Sequence, residues 1–298
     1  MQSVVQTERL TKRFNSTTAI DELSLEIQGG ERVSVVGQPG AGKSTLLRIL
    51  VDLIHPSGGR ARIAGFDTRR AAYQVRRVTA WVPDTVTLPS HLTVEEYLER
   101  SAQFRRTDPN RATRHHVLPR LDIAPDDRLG NLTSAERHAV AMVAAFQRLP
   151  EVVLLDEPLA QLGSHDWVLQ ELLEVAGPKT TVLATARDLG VAEHLKGPIV
   201  LIDRGSVVAT GSLDALRKRA RHRSELSFSQ PPDQEWIAGL PGVMASVVKG
   251  TTARVLFSGD PERLVEAAAS GGLDKASHHE ATLNELLSDY RKLAERAR

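Results

Sequence analysis

Gly37-Gln38-Pro39-Gly40-Ala41-Gly42-Lys43-Ser44-Thr45 fits the pattern G-x-x-x-x-G-K-[ST]. Ahead of it, Arg32-Val33-Ser34-Val35-Val36 reads as a buried strand, and behind it residues 45–50 read as the first turns of a helix. A phosphate-binding loop needs that strand–loop–helix setting. The glycines let backbone N–H groups turn inward around a triphosphate. Lys43 would reach the β- and γ-phosphates, and the Ser44 hydroxyl would sit on Mg²⁺. The opening of the helix adds its positive dipole end.

Outward from the loop, Glu151-Val152-Val153-Leu154-Leu155-Asp156 is a near-continuous apolar run. Such a run marks a strand covered on both faces, as in a parallel sheet. It ends in Asp156-Glu157-Pro158. Asp156 at that point would hold Mg²⁺, and Glu157 would accept a proton from an attacking water or orient it. Residues 4–10 and 19–27 read as strands with a polar loop, residues 12–16, between them. Residues 181–184 and 199–202 read as further strands, and 165–175 as a helix. Alternation of strands and helices predicts an α/β core.

Residues 93–148 read as mostly helical. Thr93-Val94-Glu95-Glu96 and Thr133-Ser134-Ala135-Glu136 are capping boxes that open helices, and Pro109 and Pro119 bracket a helix between them. Residues 216–223 form a basic run, either a nucleic-acid or membrane-surface patch or a solvated helix end. Ser229-Gln230-Pro231-Pro232 marks a change of composition. Strands over 243–248 and 253–257 follow, then helices over 261–270 and 283–296.

At 298 residues the length predicts about two domains. A net charge of +1 gives no field that would gather nucleic acid, so none is expected as a partner. The absence of cysteine excludes disulfides and thiol chemistry. No apolar run suggests a membrane span, and residues 1–8 carry no signal-peptide core.

With these motifs and their order, residues 5–211 resemble the ATP-binding subunit of an ABC transporter. The resemblance implies a P-loop NTPase fold of the ABC type, with an antiparallel β subdomain and a helical subdomain. It implies ATP and Mg²⁺ as ligands, a separate integral membrane permease subunit and a second ATP-binding subunit, identical or homologous. It puts the chain at the cytoplasmic face of the membrane. Phe14 stands where the family stacks an aromatic ring on adenine. Residues 1–222 are expected to form this domain, with the helical subdomain at about 90–150, and residues 223–298 a small α+β domain. That tail, with Leu283-Asn284-Glu285-Leu286-Leu287, resembles the small C-terminal domain of drug- and polysaccharide-type exporter ATPases.

The departures from the family pattern bear on activity. The signature Leu-Ser-Gly-Gly-Gln is Leu132-Thr133-Ser134-Ala135-Glu136 here. In the family this helix start grips the γ-phosphate bound on the opposing subunit, a role that would fall to Thr133 and Ser134. Ala135 adds a Cβ where a glycine allows close approach, and Glu136 puts a carboxylate near a polyanion; the alternative is that the segment only caps a helix. The switch histidine is Arg187, which pairs with a γ-phosphate but carries no proton at neutral pH. The glutamine of the family is Asp84, either approaching Mg²⁺ or serving as a turn residue after Pro83. The aspartate of the Gly-Leu-Asp loop is Gly163. Two functions follow: an ATPase subunit that powers an exporter by closing as a dimer, or a degenerate regulatory or assembly subunit with little hydrolysis.

Overall fold

A computed structural model describes residues 3–103, 111–219, 221–279 and 282–296. The chain divides into two compact units, residues 1–207 and 208–298.

The first unit opens with β1 (Ser3–Phe14) and β2 (Thr17–Gln28), which pair antiparallel up to Phe14↔Thr17. The polar loop expected over 12–16 is therefore only the turn Asn15-Ser16. Asn15 takes a left-handed φ of 49°, which a short polar side chain tolerates, so the strands run on to a tight turn. After β3 (Arg32–Val36) come α1 (Lys43–Leu50), β4 (Gly58–Ile63), β5 (Phe66–Asp67), α2 (Ala72–Val78) and β6 (Thr79–Val82). Next are α3 (Val94–Gln103), α4 (Arg111–Val117) and α5 (Ser134–Phe146), the helical part. The bracketing Pro109 lies outside the described residues.

The core elements resume with β7 (Val152–Leu155), α6 (Pro158–Leu162), α7 (Trp167–Ala176), β8 (Thr181–Ala186), α8 (Gly190–Leu195), β9 (Ile199–Asp203) and β10 (Ser206–Gly211). Strands β2-β1-β4-β5 form one sheet, and β10-β9-β3-β8-β7-β6 a second one of six strands. Within the second sheet β6, β7, β8, β3 and β9 run parallel. Every residue of β7 and β8 is buried, the burial predicted by the unbroken apolar run. Leu46, Leu47, Ile49 and Leu50 of α1 pack between the sheets with Val5, Ile20, Ile27, Val35 and Leu154.

The second unit holds α9 (Leu213–Arg219), β11 (Arg221–Phe228), α10 (Gln234–Ala238), β12 (Val243–Lys249), β13 (Thr252–Ser258), α11 (Pro261–Ala269), β14 (Leu273–His279) and α12 (Leu283–Arg296). Its sheet has the order β12-β13-β11-β14, antiparallel throughout. Leu226, Phe228, Ile237, Val255, Phe257 and Leu264 make a separate core. β11 runs through the position of the expected boundary at 222, and Pro231-Pro232 lie in the connection from β11 to α10. The basic run over 216–223 thus spans the end of α9 and the start of β11, with Leu216 and His222 buried.

Candidate functional site

Sheet order brings remote segments together. β3, β8 and β7 are neighbours in register, with Val36 opposite Ala186 and Leu155 opposite Ala184. Their C-terminal ends carry the 37–42 loop, Thr185-Ala186-Arg187 and Asp156-Glu157 side by side. Ligands of open parallel sheets bind at such strand ends. The loop then turns into α1 at Gly42, whose φ is 101°. A Cβ there would collide with the Ala19 carbonyl, so only glycine serves. Gly205, in the β9–β10 turn, donates its N–H to the Ala41 carbonyl at 3.0 Å and accepts from the Asp21 N–H at 3.0 Å. The Asp203-Arg204-Gly205 segment therefore buttresses the loop from behind.

Lys43 is buried, and its ammonium donates to the Gly37 carbonyl at 2.7 Å and the Gln38 carbonyl at 3.2 Å. It lies 3.6 Å from Glu157 Oε1. Burial pushes the Lys43 amine below its ordinary range, and the Glu157 charge opposes that. Asp156 is 1% exposed; its Oδ1 accepts from the Thr185 hydroxyl at 2.6 Å and the Ser44 hydroxyl at 3.1 Å. Its Oδ2 is buried with no hydrogen-bond partner. A buried carboxylate oxygen left over beside a serine hydroxyl fits Mg²⁺, a hard cation held by one or two carboxylates plus phosphates. Among the described residues no group of three His, Cys, Asp or Glu offers an all-protein metal cage.

Glu157 is 7% exposed and takes a left-handed φ of 51°, a conformation costly for a non-glycine residue. The Thr185 hydroxyl holds it there, accepting the Glu157 N–H at 3.0 Å. Thr185 thus fixes both acids at once, a role not drawn from the sequence. Arg187 Nε pairs with Glu157 Oε2.

The other expected site residues make contacts of their own. Pro39 and Gly40 form the exposed tip of the loop, Ala41 is buried, and Thr45 lies within α1. Phe14 is 46% exposed at the end of β1, with the Lys12 ammonium 4.7 Å from its ring centroid. Asp84 Oδ1 accepts from the Thr85 N–H at 2.8 Å, a bond that favours its reading as a turn residue.

Thr133 is the N-cap of α5 in a full capping box. The Glu136 carboxylate accepts the Thr133 N–H at 2.7 Å, and the Thr133 hydroxyl accepts the Glu136 N–H at 3.3 Å. The helix start that would face a phosphate thus carries its own carboxylate. On the same helix His138 is buried, and its Nε2 has no hydrogen-bond partner. Burial pulls His138 down to about 4, against the Asp84 charge. Between β6 and the helical part, Trp81, Leu92, Tyr97, Ala141, Ala144 and Arg148 line a mainly apolar groove of about 450 Å³. Trp81 Nε1 and Arg148 Nε are buried there without hydrogen-bond partners.

The chain is similar in sequence and in fold to known proteins. The family described as "ABC transporter" matches residues 20–160. The probable sulfate/thiosulfate import ATP-binding protein CysA of Chlorella vulgaris is 34% identical over 219 residues, covering 70% of this chain and 91% of that protein. The daunorubicin resistance ATP-binding protein DrrA3 of Streptomyces coeruleorubidus is 32% identical over 212 residues, covering 69% of this chain and 67% of that one. The dimeric structure of MJ0796, a bacterial ABC transporter cassette, superposes with a TM-score of 0.61 at 25% identity, over 70% of this chain and 98% of that chain. The chain belongs to the ABC transporter family. It is an ATP-binding cassette subunit, with the ABC-type ATPase fold.

Proposed function

We propose that this subunit binds Mg·ATP through residues 37–45 and hydrolyses it slowly to power an exporter. ATP would lie with its adenine on Phe14 and its phosphates against the loop amides, Lys43 and Arg187. Ser44 and Asp156 would hold Mg²⁺, which neutralises charge on the phosphates when bound. Glu157 would orient a water toward the γ-phosphorus and take its proton as the bond to the β-phosphate oxygen breaks and ADP leaves. The observation that carries this reading is the unsatisfied Asp156 Oδ2 beside Ser44 and Lys43 at adjoining strand ends. The closing partner would be a second cassette, as MJ0796 is dimeric, presenting Thr133 and Ser134. The groove with Trp81 and Arg148 would receive the permease. That docking would hold the subunit at the cytoplasmic face of the membrane. Export is favoured by the tail's resemblance to exporter ATPases and by the drug-resistance relative; the sulfate/thiosulfate relative is an import protein.

A second reading, a regulatory subunit with little turnover, draws on Glu136 in the capping box and on Arg187 paired to Glu157. The decisive experiment is calorimetric titration of wild type and Lys43→Ala with Mg·ATP. Loss of a charge-assisted contact worth about 1.5–3 kcal/mol should weaken binding roughly tenfold or more. Equal affinities would remove the phosphate-loop assignment; binding without turnover above a Glu157→Gln control would favour the regulatory reading.

A further inference from the structure

Both oxygens of Glu157 face cations: Oε1 lies 3.6 Å from Lys43 Nζ, and Oε2, which accepts no hydrogen bond, is in ion-pair contact with Arg187 Nε. A carboxylate that is to hold a water needs one oxygen free. Of the two cations, Lys43 is 4% exposed and tied to the loop carbonyls at 2.7 and 3.2 Å. Arg187 is 58% exposed, just past the end of β8 on a long side chain, and is the one able to leave. Its neighbour Asp188 accepts the Gly190 N–H on Oδ1 at 2.8 Å. A bound phosphate would supply a competing anion of higher charge than a carboxylate. The guanidinium fork matches phosphate oxygens, and only a nucleoside triphosphate brings a third phosphate toward Lys43 and Glu157.

We propose that Arg187 is a positioning residue that holds Glu157 Oε2 until a terminal phosphate draws it off, so that sensing the third phosphate and freeing Glu157 are one event. This rests on the nucleotide-site reading above. It goes beyond a histidine replacement that merely touches the γ-phosphate, because it predicts energetic coupling between Arg187 and Glu157 in ATP binding.

The test is a double-mutant cycle of the full chain with Arg187→Ala, Glu157→Gln and both changes together, titrated with Mg·ATP and Mg·ADP. Glutamine matches glutamate in shape, and Arg187 is largely exposed, so both changes spare the core. Where Arg187 is present, Glu157→Gln removes the pair that ATP must break, so ATP binding should tighten about fivefold to tenfold and ADP binding hardly change. Where Arg187 is already alanine, the same change should tighten ATP severalfold less, because only its effect on Lys43 and the phosphates is left. Arg187→Ala alone should lower the preference for ATP over ADP. Equal tightening in both backgrounds would overturn the proposal, since Glu157 would then only repel the phosphates. So would an equal loss of ATP and ADP in Arg187→Ala. Additive changes among proteins that bind nucleotide sink this inference alone; failure of wild type to bind either nucleotide sinks the nucleotide-site reading and this one with it.

Discussion

Phe14 ends β1 one residue before the turn at Asn15-Ser16, so the hairpin and not a flexible loop presents its ring. Lys12 stands over one face, 4.7 Å from the centroid, while its ammonium also donates to the His55 carbonyl at 2.7 Å. Adenine would stack on the face that Lys12 does not cover. Phe14→Ala should therefore weaken ATP by roughly 1–2 kcal/mol, the scale of base–aromatic stacking, and bare triphosphate hardly at all. Equal losses for the two ligands in parallel titrations would make Phe14 a folding residue.

At the scale of the element, α5 carries two consequences. Its start is closed by Glu136 on the Thr133 N–H. Ala135→Gly with Glu136→Gln removes a Cβ and a charge from the start of α5. If that helix start faces the partner's nucleotide, the pair of changes should raise ATP-dependent dimerisation, read by light scattering, and turnover; a lower rate would show that the native segment already grips well. Two residues past the capping box, His138 is buried and held at about 4 against an ordinary 6.5. Its folded-state value is depressed, so the unfolded chain binds its proton first. Stability from neutral His138 is present above 6.5 and lost as pH falls from there toward 4, by at most about 1.4 kcal/mol per pH unit. Urea midpoints at pH 7 and pH 5 should differ more for wild type than for His138→Leu; parallel curves would show that the imidazole is not desolvated.

At the scale of the molecule, each unit has its own apolar core. Such units fold independently as a rule. A chain ending after Gly211, which keeps β10 whole, should unfold cooperatively and bind ATP as the full chain does. An insoluble or non-binding truncation would mean that the tail supplies part of the first unit's stability. If the subunit closes as a dimer on ATP, that dimer need not be strong in isolation, because a permease holding two copies would raise their effective concentration to roughly the millimolar range.

Much of this was legible in the sequence because its signals are local. The phosphate loop needs glycines at fixed offsets, the capping boxes need Thr and Glu three residues apart, and a two-sided buried strand needs an unbroken apolar run. Those signals read out the α/β core, the loop over 37–45 and the acids at 156–157. Strand β14, Leu273-Asp274-Lys275-Ala276-Ser277-His278-His279, left no such mark: an edge strand facing solvent needs no apolar alternation. β11 was hidden in the basic run because its buried positions include His222 and Ser224. Only tertiary structure could decide how the site is wired. The order β3-β8-β7 brings residues 43, 156, 157, 185 and 187 together, with more than a hundred residues of chain between 43 and 156. Ion pairs such as Arg187 with Glu157, and the burial that neutralises His138, depend on distance and solvent exclusion, and neither is written in the spacing of residues along the chain.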